Sequence, residues 1–80
     1  MNLKPISAGR TPGQSEYRYA RDWWENEGFE VGSIGARDLE NDDVAIFIKT
    51  IDEDELTLVL HYDNSITAYR GSGTENLVEL

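Results

Sequence analysis

The sequence predicts an α+β fold in which one amphipathic N-terminal helix packs on one face of an antiparallel β-meander of three to five strands. Two observations predict it. A capped, aromatic-rich helical pattern occupies residues 11–28, and three apolar, β-branched segments follow it at short polar intervals. The length of 80 residues fits one small domain, with residues 1–10 as an N-terminal arm or edge strand.

The helix has recognisable signals at both ends. Thr11-Pro12-Gly13-Gln14 fits a capping box with Thr11 as N-cap and Gln14 at the third helical position. Gly28 suits the left-handed position that follows a helix. At helical spacing one arc of the surface carries a set of large side chains and an alanine, which we expect to face the core: Tyr17, Tyr19, Ala20, Trp23 and Trp24.

The rest of the chain reads as strands and turns. Phe29-Glu30-Val31 is predicted to be a short strand that enters a Gly-rich bend at Gly32 and Gly35. Residues 71–80 comprise a flexible break and then a last edge strand or a loose tail. Three further segments have strong strand character: Val44–Ile51, Leu56–Tyr62 and Ile66–Arg70.

The parity of the hairpin loops decides which side chains share a face, because side chains alternate along a strand. An even first loop gives two mixed faces. An odd loop of three or five residues makes one face of the sheet uniformly apolar. That face carries Val44, Ile46, Ile48, Leu56, Leu58, Leu60 and Tyr62. A three-residue second loop, Asp63-Asn64-Ser65, adds Ile66 and Ala68 to that face, with Asn64 or Ser65 left-handed. The sequence therefore predicts odd loops.

The opposite face of such a sheet carries Phe47, Val59 and Tyr69 as a cross-strand row. A domain with one helix does not easily cover both faces of its sheet. Two alternatives stay open. The row is an exposed partner surface or homodimer interface, or the two chain termini cover it.

The net charge of −9 lies in the second half of the chain. Residues 1–37 hold five acidic and five basic side chains, whereas residues 38–80 hold eleven acidic side chains against Lys49 and Arg70. Direct binding of nucleic acid is disfavoured because there is no basic patch. A basic protein, such as one that handles nucleic acid, is the expected partner.

The meander sorts these acids to the two ends of the sheet. Glu40, Asp42, Asp43 and Asp63 are expected at one end and Asp52, Glu53, Asp54 and Glu55 at the other. The four-acid run lacks the Gly and the bidentate Glu of a calcium-binding EF-hand loop. With no cysteine, and with His61 as the one histidine and an expected solvated strand residue, we expect neither a metal, nor another cofactor, nor enzymatic activity.

One segment resembles the opening of restriction-endonuclease-like nucleases. The helix ending in Gly28-Phe29-Glu30-Val31 is followed by Asp42-Asp43 and by a strand that carries Lys49. The resemblance implies a metal-binding Glu-x-Lys motif, but the residue two before Lys49 is Phe47. Nuclease function is therefore not expected.

Two functions of different classes are consistent with these patterns. The first is a small acidic, non-enzymatic module that docks on a basic protein as an inhibitor or nucleic-acid mimic. Phage-encoded anti-CRISPR and anti-restriction proteins and toxin-immunity proteins have this compositional character. The alternative is a self-associating structural domain whose acidity serves solubility or salt adaptation. Without an apolar run long enough for a membrane span or a signal peptide, the expected compartment is the cytoplasm, the host's if the gene is viral.

Overall fold

The computed structural model describes residues 1–80 and shows one helix followed by a five-stranded sheet. The elements are α1 (Gln14–Asn26), β1 (Val31–Asp38), β2 (Val44–Thr50), β3 (Glu55–Leu60), β4 (Ile66–Arg70) and β5 (Val78–Glu79). Each strand pairs antiparallel with the next in chain order, and a 3₁₀ turn at Glu40–Asp42 joins β1 to β2. The predicted α+β meander is confirmed.

The helix begins two residues later than the sequence predicts. Gly13 is the N-cap in place of Thr11, and Glu16 Oε1 accepts a hydrogen bond from the Gly13 N–H at 2.8 Å. Glu16 therefore takes the third helical position that was assigned to Gln14. A carboxylate is the better acceptor for this free N–H, because it also interacts favourably with the positive end of the helix dipole.

The predicted end of the helix is confirmed. Gly28 has a φ of 96°, a left-handed conformation that glycine adopts at no steric cost. Its N–H donates to Glu25 O, and the N–H of Phe29 donates to Trp24 O, both at 3.1 Å. This pair of bonds is a Schellman motif. The Phe29 ring meets the Trp24 ring edge-to-face at a centroid distance of 5.6 Å, which anchors the turn in the core.

Arg10 connects the N-terminal arm to both the helix and β1. Its guanidinium lies 2.8 Å from Glu16 and 2.9 Å from Asp38, and its backbone exchanges two hydrogen bonds with Ala36. The guanidinium hydrogen bond is the main reason that the pKa of Glu16 lies below its ordinary value. The arm therefore runs along the outer edge of β1, which it shields from further strand pairing.

The segment predicted as a Gly-rich bend is instead most of β1. Its pairing with β2 is shifted between Val31 and Ser33, and Gly32 occupies the irregular position. A Cβ atom at Gly32 would lie 3.1 Å from the carbonyl oxygen of Lys49. Glycine here permits a close backbone approach within a strand, a pattern that resembles a turn when only the sequence is considered.

Both hairpin loops are odd, as predicted. Val44 pairs with Leu60 and Ile48 with Leu56, which places the apolar residues of both strands on the helix side. The first loop has three residues, 51–53, closed by a Thr50 N–H to Asp54 O hydrogen bond of 2.9 Å. Glu53 in this loop has a left-handed φ of 68°.

The second loop has the predicted length but starts one residue earlier. It comprises residues 62–64, because the His61 N–H donates to Ser65 O at 2.9 Å. Asn64 supplies the left-handed residue with a φ of 70°. Since the shift leaves the parity unchanged, Ile66 and Ala68 still pack on the helix side.

The helix-side core contains fewer aromatic residues than predicted. Trp24 and Ala20 of α1 are buried, Trp23 is half-buried, and Tyr17 and Tyr19 are exposed. The expected aromatic arc was too wide, because the sheet contacts a narrower stripe of the helix. The buried sheet residues beneath it are Ala36, Ile46, Ile48, Leu56 and Leu58.

A second core fills the opposite face of the sheet. Leu39, Ala45, Val59, Tyr69 and Leu77 are buried there, with Leu3 and Phe47 packed against them. The chain ends lie side by side over this face. The N–H of Leu77 donates to Met1 O at 2.9 Å, and the N–H of Leu3 donates to Thr74 O at 2.7 Å. Of the two alternatives for this face, the structure shows cover by the termini.

We expect Leu77→Ala to destabilise the fold by about 2–5 kcal/mol, because Leu77 is 2% exposed and closes the second core. Leu80→Ala is the matched control, since Leu80 is 58% exposed and should change the free energy of unfolding little. Urea unfolding of both variants measures the difference. Equal effects would contradict the assignment of the C-terminal segment as a core cover.

We expect Glu16→Gln to weaken the dependence of stability on acid pH. Because the folded pKa of Glu16 is lowered from its ordinary 4.5, its ionised form favours folding. That contribution is present above this value and is lost as the pH falls through the lowered folded pKa. Glutamine still accepts from the Gly13 N–H but forms no ion pair. Urea unfolding between neutral pH and pH 3 should show a smaller loss for the variant than for the wild type.

Candidate functional site

One end of the sheet carries a cluster of polar side chains that are joined by hydrogen bonds. Asn41, Asp42, Asp43, His61, Tyr62, Asp63 and Ser65 line an open depression of about 560 Å³. We call this region the histidine end. The structure thus brings together three of the predicted site residues, Asp42, Asp43 and Asp63, as expected from the meander.

A continuous chain of hydrogen bonds at the histidine end joins the residue before β2, the residue after β3, and β4. His61 Nδ1 lies 2.9 Å from Asp43 Oδ2, and His61 Nε2 lies 2.8 Å from Thr67 Oγ1. The second carboxylate oxygen of Asp43 accepts the Tyr62 N–H at 3.1 Å. His61 is therefore held at both ring nitrogens, and its expected role as a solvated strand residue is wrong.

The strand register explains why these three side chains meet. Val44 pairs with Leu60, so Asp43 and His61 occupy the next opposed positions beyond the two strands. Val59 pairs with Thr67, which places Thr67 diagonally beside His61 on the same face. The signal was present in the sequence, because extending the odd-loop register by one pair sets Asp43 opposite His61.

Asp63 has a local role in the second hairpin loop. The hydroxyl and the N–H of Ser65 both donate to Asp63 Oδ1, at 2.6 and 3.0 Å. The hydroxyl contact is the main reason that the pKa of Asp63 lies below its usual value. These hydrogen bonds favour the ionised form of Asp63, which places a negative charge at the rim of the depression.

The four consecutive acids lie at the opposite end of the sheet, and we call Asp52–Glu55 the acidic tip. All four are exposed. The turn that carries them is held by Thr50, whose O accepts the Glu53 N–H at 2.9 Å and whose Oγ1 accepts the Asp54 N–H at 3.0 Å. The structure therefore separates Asp52–Glu55 from Asp42, Asp43 and Asp63.

The apolar part of the predicted partner surface lies in the interior instead. Val59 and Tyr69 are 1% and 4% exposed beneath the termini, and Phe47 is half-buried beside them. Burial is the main reason that the pKa of Tyr69 is raised. These residues form a core, so a substitution at Tyr69 would test stability and not docking.

The surface carries a large excess of negative charge without basic partners. Of the sixteen carboxylate side chains, only Glu16, Asp22 and Asp38 form ion pairs with arginine, and Asp43 contacts His61. The remaining twelve are all exposed. Folding therefore leaves most of the negative charge unpaired and exposed to solvent.

No three His, Asp or Glu side chains lie close enough together to hold a metal ion. No helix combines the length and the apolar character that crossing a bilayer requires. No family model matches the chain, and neither a curated protein nor a solved structure is significantly similar to it.

We expect His61 to carry its neutral-state proton on Nδ1. An ionised Asp43 can only accept, so Nδ1 must donate to it, which leaves Nε2 to accept from the Thr67 hydroxyl. Long-range proton–nitrogen NMR correlations at neutral pH report this tautomer directly. Asp43→Asn should reduce the Nδ1–H population. A neutral ring protonated mainly on Nε2 in the wild type would contradict the assigned hydrogen bonds.

Proposed function

We propose that this chain is a non-enzymatic protein-binding module that docks on a basic protein surface in the cytoplasm, as an inhibitor or nucleic-acid mimic. The observation that carries the proposal is the set of twelve exposed carboxylates without ion pairs. A basic surface evolved for nucleic acid attracts such a protein and associates with it faster, because opposite charges steer the encounter.

The rigidity of the acidic tip supports docking. Three backbone or side-chain hydrogen bonds to Thr50 fix the turn that carries its carboxylates. A turn whose backbone is ordered before binding loses less conformational entropy when the complex forms than a loose loop does. The tip therefore presents four exposed carboxylates on an ordered turn.

The conformation of Glu53 suggests that its charge has a use. Glu53 has a left-handed φ of 68° at a position where glycine or asparagine would be less strained. A non-glycine residue in this region costs on the order of 1–2 kcal/mol. Residues that break a local rule in this way concentrate at functional sites. We infer that the carboxylate is retained for binding.

The histidine end offers an aromatic contact among its acids. Tyr62 is 74% exposed and lies beside Asp42 and Asp63. Tyrosine rings often dominate interface energies and attract arginine guanidinium groups on a partner. We propose that this end and the acidic tip are two contact regions, separated by the length of the strands.

We expect neutralisation of the acidic tip to abolish partner capture while the fold survives. The test compares the immobilised wild type with the variant Asp52→Asn, Glu53→Gln, Asp54→Asn, Glu55→Gln in extract from the native or infected host. Proteins retained by the wild type should elute with duplex DNA, because they bind both at one basic surface. A second variant, Asp42→Asn with Asp63→Asn, should also weaken retention.

The control variant Glu25→Gln with Glu27→Gln removes the same charge as the second variant from exposed residues in the last turn and at the C-cap of α1, and it should retain partners. Circular dichroism verifies that each variant is folded. Equal retention by the tip variant and the helix control would contradict the proposal. Recovery of only further copies of the chain would also contradict it and would favour self-association.

A further inference from the structure

The hydrogen-bonded side chains at the histidine end stand in the order hydroxyl, imidazole and carboxylate. The proposed docking function does not depend on this order. Thr67 supplies a hydroxyl, His61 an imidazole within 2.8 Å of it, and Asp43 a carboxylate within 2.9 Å of the other ring nitrogen. This order of hydroxyl, base and orienting carboxylate is the one by which weak hydroxyl nucleophiles are activated in proteins.

The donor and acceptor roles along this chain fit activation. Asp43 accepts at both oxygens, from the Tyr62 N–H and from the imidazole Nδ1–H. The neutral imidazole is thereby oriented with the lone pair of Nε2 toward the Thr67 hydroxyl. Proton transfer from Thr67 to Nε2 leaves an imidazolium beside an ionised carboxylate, which stabilises the new positive charge.

The imidazole is accessible from solvent, whereas the residue that carries the hydroxyl is only partly exposed. The His61 side chain is 28% exposed, and Thr67 is half-buried beside it. His61 borders the open depression of the histidine end and also a smaller recess of about 180 Å³ under the N-terminal arm. By contrast, the hydroxyl of Thr57 is buried and donates to Gly71 O at 2.9 Å, so that hydroxyl has no base beside it.

We propose that Thr67 is a covalent modification site whose hydroxyl accepts an acyl group from an activated carboxylic ester or thioester. The Oγ1 atom attacks the acyl carbon while its proton passes to His61 Nε2. The bond from the acyl carbon to the leaving oxygen or sulfur then breaks. The leaving group takes up the proton, directly or through water, so that one ester bond forms at Thr67 and one acyl bond of the donor is cleaved.

The surrounding charge selects the donor. Glu40, Asp42 and Asp63 are exposed and unpaired with basic side chains around the same end of the sheet. These negative charges repel an anionic acyl group and favour a neutral or cationic one. An activated leaving group is required, because a hydroxyl remains a weak nucleophile even with a base beside it.

The probe is p-nitrophenyl acetate at neutral pH, followed by acid quenching, proteolysis and mass spectrometry. We expect one acetyl group on Thr67. Thr67→Ser should keep this acetylation, because it keeps the hydroxyl, whereas Thr67→Val should lose it. His61→Gln should slow acetylation of residue 67 by at least about 100-fold, since the general base is removed.

Asp43 acts through the imidazole and is a positioning residue. Asp43→Asn should slow acetylation at least about tenfold and should also reduce the Nδ1–H tautomer seen by NMR, while circular dichroism shows an intact fold. A loss of rate without a tautomer change would overturn the positioning role.

Three results would overturn the proposal as a whole. They are acetyl groups found only on amines, an acetyl group on His61 that persists in Thr67→Val, and equal labelling of Thr67 in the wild type and in folded His61→Gln. The docking function is tested separately, because Thr67→Val leaves every charge in place and should retain partners as the wild type does.

Discussion

The central constraint in this molecule is a sheet that is apolar on both faces in a chain of 80 residues. Each face needs a cover, and one helix supplies only one. The odd hairpin loops sort the largest aliphatic side chains under α1, which leaves Val59 and Tyr69 on the reverse side. The N-terminal and C-terminal segments cover this second face and exclude water from it. The docking of Leu3 and Leu77 follows from this arrangement.

Much of the fold could be predicted because alternation and turn chemistry act locally. The three central strands, the parity of both loops and the glycine at the end of the helix all depend on residues that are near one another in sequence. The bend predicted at Gly32 is wrong because a close backbone approach and a turn both favour glycine. The N-cap was misplaced because Glu16 gains a second partner, Arg10, that only the folded chain brings near.

The charged residues of the candidate site could be predicted from the sequence, but the hydrogen bonds between its side chains could not. The positions of the acids and of the hairpin loops in the sequence predict that Asp42, Asp43 and Asp63 lie at one end of the sheet. The hydrogen bond between His61 and Asp43 required one further pair of the register, because Asp43 lies one residue before the predicted strand Val44–Ile51. The exposure of the Phe47, Val59 and Tyr69 row depended on where the termini dock, which is a long-range contact with no local pattern.

The contact between the two ends of the chain has a consequence for the order of folding. Met1 donates to Leu77 O across 76 positions of sequence, so nearly the whole chain must be closed into one loop before this contact forms. The helix and the central hairpins need much shorter closures. We therefore expect the terminal cover to form last and to open first. Val59 and Tyr69 would meet water, or another molecule, only in that opened form.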